Sequence, residues 1–66
     1  MEILLNGAPY TVASGVSVRA LLAGLELDRP GVAVAVDSRV IARSLHAETL
    51  LEPGAKVEVI QAVGGG

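Results

Sequence analysis

The sequence has no cysteine, no tryptophan and no phenylalanine, and Tyr10 is its only aromatic residue. Without cysteine there is no disulfide to staple the chain and no thiolate metal site, and one histidine is too few for a nitrogen-ligated one. Nothing near Glu2 resembles a basic segment followed by an apolar one, so no signal peptide is expected and the expected compartment is the cytoplasm. No apolar run approaches the roughly 20 residues of a membrane span. Basic residues are also scarce: five Lys and Arg stand against seven Asp and Glu, for a net charge of −2, and they form no cluster. Phosphate neutralisation and base stacking therefore lack the residues they need, and neither nucleic acid nor membrane is an expected partner.

What the sequence does have is aliphatic. Hydrophobic residues make up 52% of the chain and mean hydropathy is +0.59. Val, Leu, Ile and Ala supply nearly all of it. At 66 residues the chain is a single domain near the lower limit for unaided folding, since a domain of this size buries only about 60% of its unfolded surface. Its core must be purely apolar.

The sequence ends in Ala62-Val63-Gly64-Gly65-Gly66, directly after the alternating run Lys56-Val57-Glu58-Val59-Ile60. Residues 1–63 read as the folded domain and residues 64–66 as a flexible glycine tail. Glycine permits close backbone approach and almost any φ/ψ, at the largest entropic cost of any residue. Taken alone, the tail reads as an idle, frayed terminus.

Asn6-Gly7 lies between Glu2-Ile3-Leu4-Leu5 and Ala8-Pro9-Tyr10-Thr11-Val12. This dipeptide between β-prone runs predicts a two-residue type I′ hairpin. Period-2 alternation sends Ile3, Leu5, Ala8, Tyr10 and Val12 to one face, and Glu2, Leu4, Pro9 and Thr11 to the other. Pro9 lacks a donor and belongs at a sheet edge. Ser17 is a helix N-cap, followed by Val18, Leu21, Leu22 and Leu25 at helical spacing. The helix ends at Gly24 or just after Leu25. Burying that stripe contributes roughly 6–12 kcal/mol before entropy is subtracted.

After a Pro30-Gly31 turn, Val32 to Val36 and Arg39 to Ala42 form a second pair of short strands joined at Asp37-Ser38. The stretch from Ser44 to Leu51 accommodates a single helical or 3₁₀ turn better than a full helix. Glu52-Pro53-Gly54-Ala55 is a turn before the last strand, in which Val57 and Val59 face the helix while Glu58, Ile60 and Ala62 face away. The order is hairpin, helix, two strands, turn and final strand, an α+β arrangement with one helix on a mixed sheet.

Nothing in this pattern is catalytic. The glycines do not form a phosphate cradle, which needs a following helix with Lys and Ser or Thr. His46 has no nucleophile or carboxylate at telling spacing and reads as a solvated loop residue. Arg39 and Arg43 also read as solvated. The sheet face away from the helix carries Leu4, Ile60 and Ala62 with Glu2 and Glu58 beside them. If the first and last strands are neighbours, these residues form one patch, and two readings stay open: a partner surface, or side chains covered by a loop. Ordering each glycine costs about 1–2 kcal/mol, so threading three into a narrow site needs an offset that docking of the folded body could supply.

Taken together, the sequence resembles the ThiS family of sulfur carriers in thiamine biosynthesis, which have a ubiquitin-like β-grasp fold. The resemblance covers the whole chain. It rests on Met1-Glu2-Ile3-Leu4-Leu5-Asn6-Gly7, Ser17-Val18 with Leu21-Leu22, Ala33-Val34-Ala35-Val36, Val40-Ile41, Gly54 before Val57-Glu58-Val59, and the terminal Gly65-Gly66. It implies a carrier rather than an enzyme, with no bound cofactor and a monomeric free state. A ThiF-like adenylyltransferase would use ATP to adenylate the Gly66 carboxylate, a desulfurase system would supply sulfur, and the resulting thiocarboxylate would serve a ThiG-like thiazole synthase. Gly64, Gly65 and Gly66 would thread into partner active sites, while Leu4, Glu58, Ile60 and Ala62 would dock. Alternatives are a carrier of the molybdopterin synthase small-subunit type, a ubiquitin-like protein modifier, and a β-grasp interaction module with an inert tail.

Overall fold

The computed structural model describes residues 1–61. The expectations for Ala62, Gly64, Gly65 and Gly66, and the boundary between domain and tail, lie outside those residues. The described chain runs β1 (Glu2–Leu5), β2 (Ala8–Thr11), α1 (Val18–Gly24), β3 (Val32–Val36), β4 (Arg39–Ile41), a 3₁₀ turn (Arg43–Leu45) and β5 (Lys56–Gln61).

The five strands form one mixed sheet in the order β2-β1-β5-β3-β4. The first and last strands are therefore neighbours, with Leu4 beside Lys56 and Leu5 beside Val57 in parallel register. β5 also pairs antiparallel with the whole of β3, from Val32 with Gln61 to Val36 with Val57. The strand leading to the C-terminus is thus the central one, held on both sides.

Both hairpins follow from their turn residues. Asn6 and Gly7 have φ of 50° and 83°, and Asp37 and Ser38 have 49° and 70°. Positive φ at both central positions matches the right-handed twist of the flanking strands. The first hairpin pairs Leu5 with Ala8 and Leu4 with Pro9, so Pro9 sits on edge strand β2 where no ladder donor is needed. Ala8 and Tyr10 share the helix-side face as the alternation requires, yet they remain exposed. They lie on the outermost strand, and the two-turn helix covers the centre of the sheet.

Ser17 caps α1, its Oγ accepting from the Ala20 N–H at 3.0 Å. Val18, Leu21 and Leu22 are buried, and Leu25 is the half-buried C-cap residue. The helix ends in a Schellman arrangement, with Leu27 N–H bonded to the Leu22 carbonyl and Glu26 N–H to the Ala23 carbonyl. Glu26, not a glycine, takes the left-handed position at φ 60°, where glycine is usual. The core consists of Ile3, Val18, Leu21, Leu22, Val34, Leu51, Ala55 and Val57, with Val59 partly buried against it. The helix stripe and the inward alternation of β5 are as the sequence pattern requires.

His46 departs from expectation: it is 3% exposed, a buried residue and not a solvated one. Its Nε2 lies 3.0 Å from the Ile41 carbonyl oxygen, to which it donates, and its own carbonyl accepts from the Arg19 N–H at 3.0 Å. The Thr49 carbonyl accepts from the Val18 N–H at 2.9 Å. The segment after the 3₁₀ turn therefore supplies partners for first-turn donors of α1 that have none within the helix. Burial of His46 follows from that packing. The histidine ring ties β4 to the segment that caps the helix through a backbone carbonyl five residues away, a partner that residue types do not reveal.

Candidate functional site

The sequence directs attention to the outer sheet face and to the strand from which the tail departs. β5 is fixed up to its last described residue. On one side it pairs with β3 as far as Gln61. On the other, the first hairpin holds it beyond the end of β1: Asn6 N–H donates to the Val57 carbonyl at 2.8 Å, and Asn6 Oδ1 accepts from the Val59 N–H at 2.9 Å. Gln61 Oε1 also accepts from Arg29 Nη2 at 3.0 Å. The tail is therefore attached to a well-anchored strand.

Register defines the outer face. Because Leu4 is beside Lys56, alternation puts Leu4, Lys56, Glu58 and Ile60 on the face opposite Val57 and α1. Leu4 is half-buried, Glu58 is exposed and Ile60 is 61% exposed. A shallow groove lined by Leu4, Asn6, Gly7, Lys56, Val57 and Glu58 follows the β1–β5 seam. Leu4 and Ile60 do share a face, but Lys56 and Glu58 stand between them along β5. They are two ends of a mixed surface, with an ion-bearing middle, rather than one continuous apolar patch.

The apolar part is completed from the other side. Ala33 pairs with Ile60, and Ala35 with Glu58, while Ala35 also pairs with Val40. Val40 is 79% exposed, so Ile60, Ala33, Ala35 and Val40 form the apolar side of the outer face. Reading the sequence strand by strand misses Ala33, Ala35 and Val40. The signal was present in two places: the alanines alternating with the buried valines of β3, and the Asp37-Ser38 turn, which places Val40 opposite Ala35.

Among the described residues no three His, Cys, Asp or Glu side chains gather where they could hold a metal ion. No described helix is long and apolar enough to cross a membrane. Arg39 and Arg43 are exposed, as expected.

Comparison with known proteins agrees with this architecture. The sequence matches the ThiS family model over residues 3–66, a span that includes the terminal glycines. A thiazole synthase from Paramagnetospirillum magneticum is 30% identical over the whole chain, which spans only 20% of that larger protein. The sulfur carrier protein ThiS of Escherichia coli is 29% identical over the full length of both chains. The crystal structure of the thiamine biosynthesis protein ThiS from Geobacter metallireducens superposes with a TM-score of 0.85 at 32% identity, covering all of both chains. Its fold is the β-grasp arrangement seen here, a helix packed on a mixed sheet with parallel first and last strands. From the full-length family match and the shared fold, this chain belongs to the ThiS family.

Proposed function

We propose that the chain is a sulfur carrier of thiamine biosynthesis and not itself a catalyst. The observation that carries this reading is the family match through residue 66, which joins the terminal diglycine to a domain whose central strand leads into it. In the proposed cycle a ThiF-like adenylyltransferase binds the outer face and receives the tail. A Gly66 carboxylate oxygen attacks the α-phosphorus of ATP and pyrophosphate leaves. The acyl adenylate is then attacked by a sulfide-equivalent nucleophile from a desulfurase system, AMP departs with the C–O bonding pair, and a thiocarboxylate remains. A ThiG-like thiazole synthase takes the sulfur. The P. magneticum thiazole synthase, which contains a stretch similar to this whole chain, supports that last partnership.

The chain's residues fit the scheme. A carboxylate oxygen is a poor leaving group and AMP a good one, so activation must precede sulfur transfer. No cysteine is needed in the carrier, and none is present. Gly65 and Gly66 bring no Cβ into a narrow channel, and the anchored β5 limits the entropy lost on threading to the tail itself.

The test is intact mass after incubation with ATP, a sulfur source and the adenylyltransferase. The proposal requires a species heavier by one sulfur-for-oxygen exchange, absent when Gly66 is deleted although the truncated protein still folds and docks. Unmodified mass in the parent protein under conditions that charge a known carrier would overturn it and favour an interaction module.

A further inference from the structure

Asn6 is the only asparagine in the sequence, and Gly7 follows it. Glycine, having no Cβ, least obstructs attack of its own backbone nitrogen on the side-chain amide of the residue before it. Both residues are exposed, at the tip of the first hairpin. Apart from the adjacent residues, no heavy atom lies within 4 Å of the position that a Cβ on Gly7 would take, so solvent has access to this side of the turn.

The folded geometry restrains such an attack without removing it. Ring closure requires the Asn6 side-chain carbonyl carbon to meet the Gly7 nitrogen. In the structure the side chain reaches across to β5 instead, where Oδ1 accepts from the Val59 N–H at 2.9 Å. The Asn6 N–H is held as well, by the Val57 carbonyl at 2.8 Å. These two bonds close the end of the β1–β5 seam from an exposed loop, the kind of segment that opens locally at small cost.

We propose that Asn6 is a site of spontaneous deamidation, gated by opening of its bond to Val59. Solvent hydroxide removes the Gly7 N–H proton, and the nitrogen lone pair forms a bond to Asn6 Cγ. The bond from Cγ to the side-chain nitrogen breaks, and that nitrogen takes a proton from water and leaves as ammonia. One water molecule then opens the succinimide ring. Attack at Cγ restores the ordinary backbone and gives aspartate; attack at the α-carbonyl carbon routes the backbone through Cγ and gives isoaspartate. The first product keeps an acceptor for Val59. The second adds one carbon to the backbone of a two-residue loop, which disturbs the pairing of Leu5 with Ala8. Either product adds a negative charge to a groove whose lining holds one cation, Lys56, and one anion, Glu58.

The test follows the intact mass of the full chain in warm, mildly alkaline buffer, with Val59 hydrogen exchange measured under the same conditions. A steady gain is expected, equal to exchange of one NH₂ group for OH, and roughly tenfold or more slower in the folded protein than in denaturant. The gain should lie in the tryptic peptide Met1–Arg19 and resolve there into aspartate and isoaspartate forms. Asn6→Asp retains an acceptor for Val59 and should show no gain. Mild denaturant that speeds Val59 exchange should speed deamidation in proportion. A gain that survives in Asn6→Asp would assign the reaction elsewhere and overturn the proposal. So would a folded protein that does not convert, equal rates in folded and denatured chains, or a rate indifferent to Val59 exchange. The readout uses neither the tail nor a partner, so its failure leaves the sulfur-carrier reading untouched.

Discussion

Asn6 and Val59 are joined by a hydrogen bond between the Asn6 Oδ1 and the Val59 N–H at 2.9 Å. The same residue that turns the first hairpin, at φ 50°, thereby continues the β1–β5 ladder with its side chain. One position does two jobs, and both favour asparagine: its short amide side chain tolerates the left-handed region and reaches a neighbouring backbone donor.

Replacing Asn6 should therefore expose both roles. Asn6→Ala is expected to cost about 1–3 kcal/mol, combining left-handed backbone strain with a lost hydrogen bond. Asn6→Asp, which keeps an acceptor and tolerates the same φ, should cost less. Denaturant melting measures the totals, and hydrogen exchange at Val59 isolates the side-chain contact. Unchanged Val59 protection in Asn6→Ala would show that the contact contributes nothing in solution.

Glu26 offers a change in the opposite direction. It occupies the left-handed cap position after α1 at φ 60° and is exposed, so its side chain contributes little packing. Glu26→Gly should stabilise the protein by about 0.5–1 kcal/mol, the relief of strain exceeding the added entropy of the unfolded chain. Glu26→Val should destabilise it, because a β-branched residue fits that region poorly. Thermal melts of the pair would decide; a Val variant as stable as the parent would mean the cap is not left-handed.

How much of this was legible beforehand depends on the range of the interaction. Asn6-Gly7, Ser17 and the Val18, Leu21, Leu22 spacing each act within a few residues, so their patterns announce the hairpin, the cap and the helix face. The neighbours β1 and β5 required only a conditional statement from sequence, and the register of Leu4 with Lys56 turned it into a surface. His46 was misread because its partners, the Ile41 carbonyl and the Arg19 N–H, are backbone groups. Backbone partners leave no mark on residue type. Val40 was missed for a related reason: its membership of the outer face depends on pairing across β3, not on its own neighbours in sequence.

His46→Ala should destabilise by about 1–3 kcal/mol, since the part-buried Ile41 carbonyl loses this donor. His46→Gln, whose amide nitrogen reaches a position similar to Nε2, should recover part of that loss. Denaturant melts of both variants test the assignment. Equal stability of Ala and Gln variants would place the loss in packing rather than in the hydrogen bond.

Leu22 is 1% exposed and lies at the centre of the helix stripe. Leu22→Ala should cost about 2–5 kcal/mol through lost burial and an unfilled cavity. In a domain this small, that is a large part of total stability, so the variant should be studied by denaturant titration at low temperature. A loss below about 0.5 kcal/mol, on the scale of an ordinary surface change, would mean that the stripe is not the main cover of the sheet.

The outer face yields the prediction most directly tied to function. Ile60 is exposed beside Ala33, so Ile60→Glu should leave the fold intact, introduce a charge into the apolar side, and, on the proposed function, weaken binding to the adenylyltransferase by roughly tenfold or more. Leu4→Glu places its charge beside Lys56, which can pair with it, so a smaller loss of affinity is expected even though Leu4 is more buried. Val40→Glu extends the test to a residue on the far side of Ala35. Calorimetric titration of the three variants against the adenylyltransferase measures the order directly. Parent-like affinity in Ile60→Glu and Val40→Glu would remove the apolar side from the docking surface, and a larger loss in Leu4→Glu would move its centre to the groove on the β1–β5 seam.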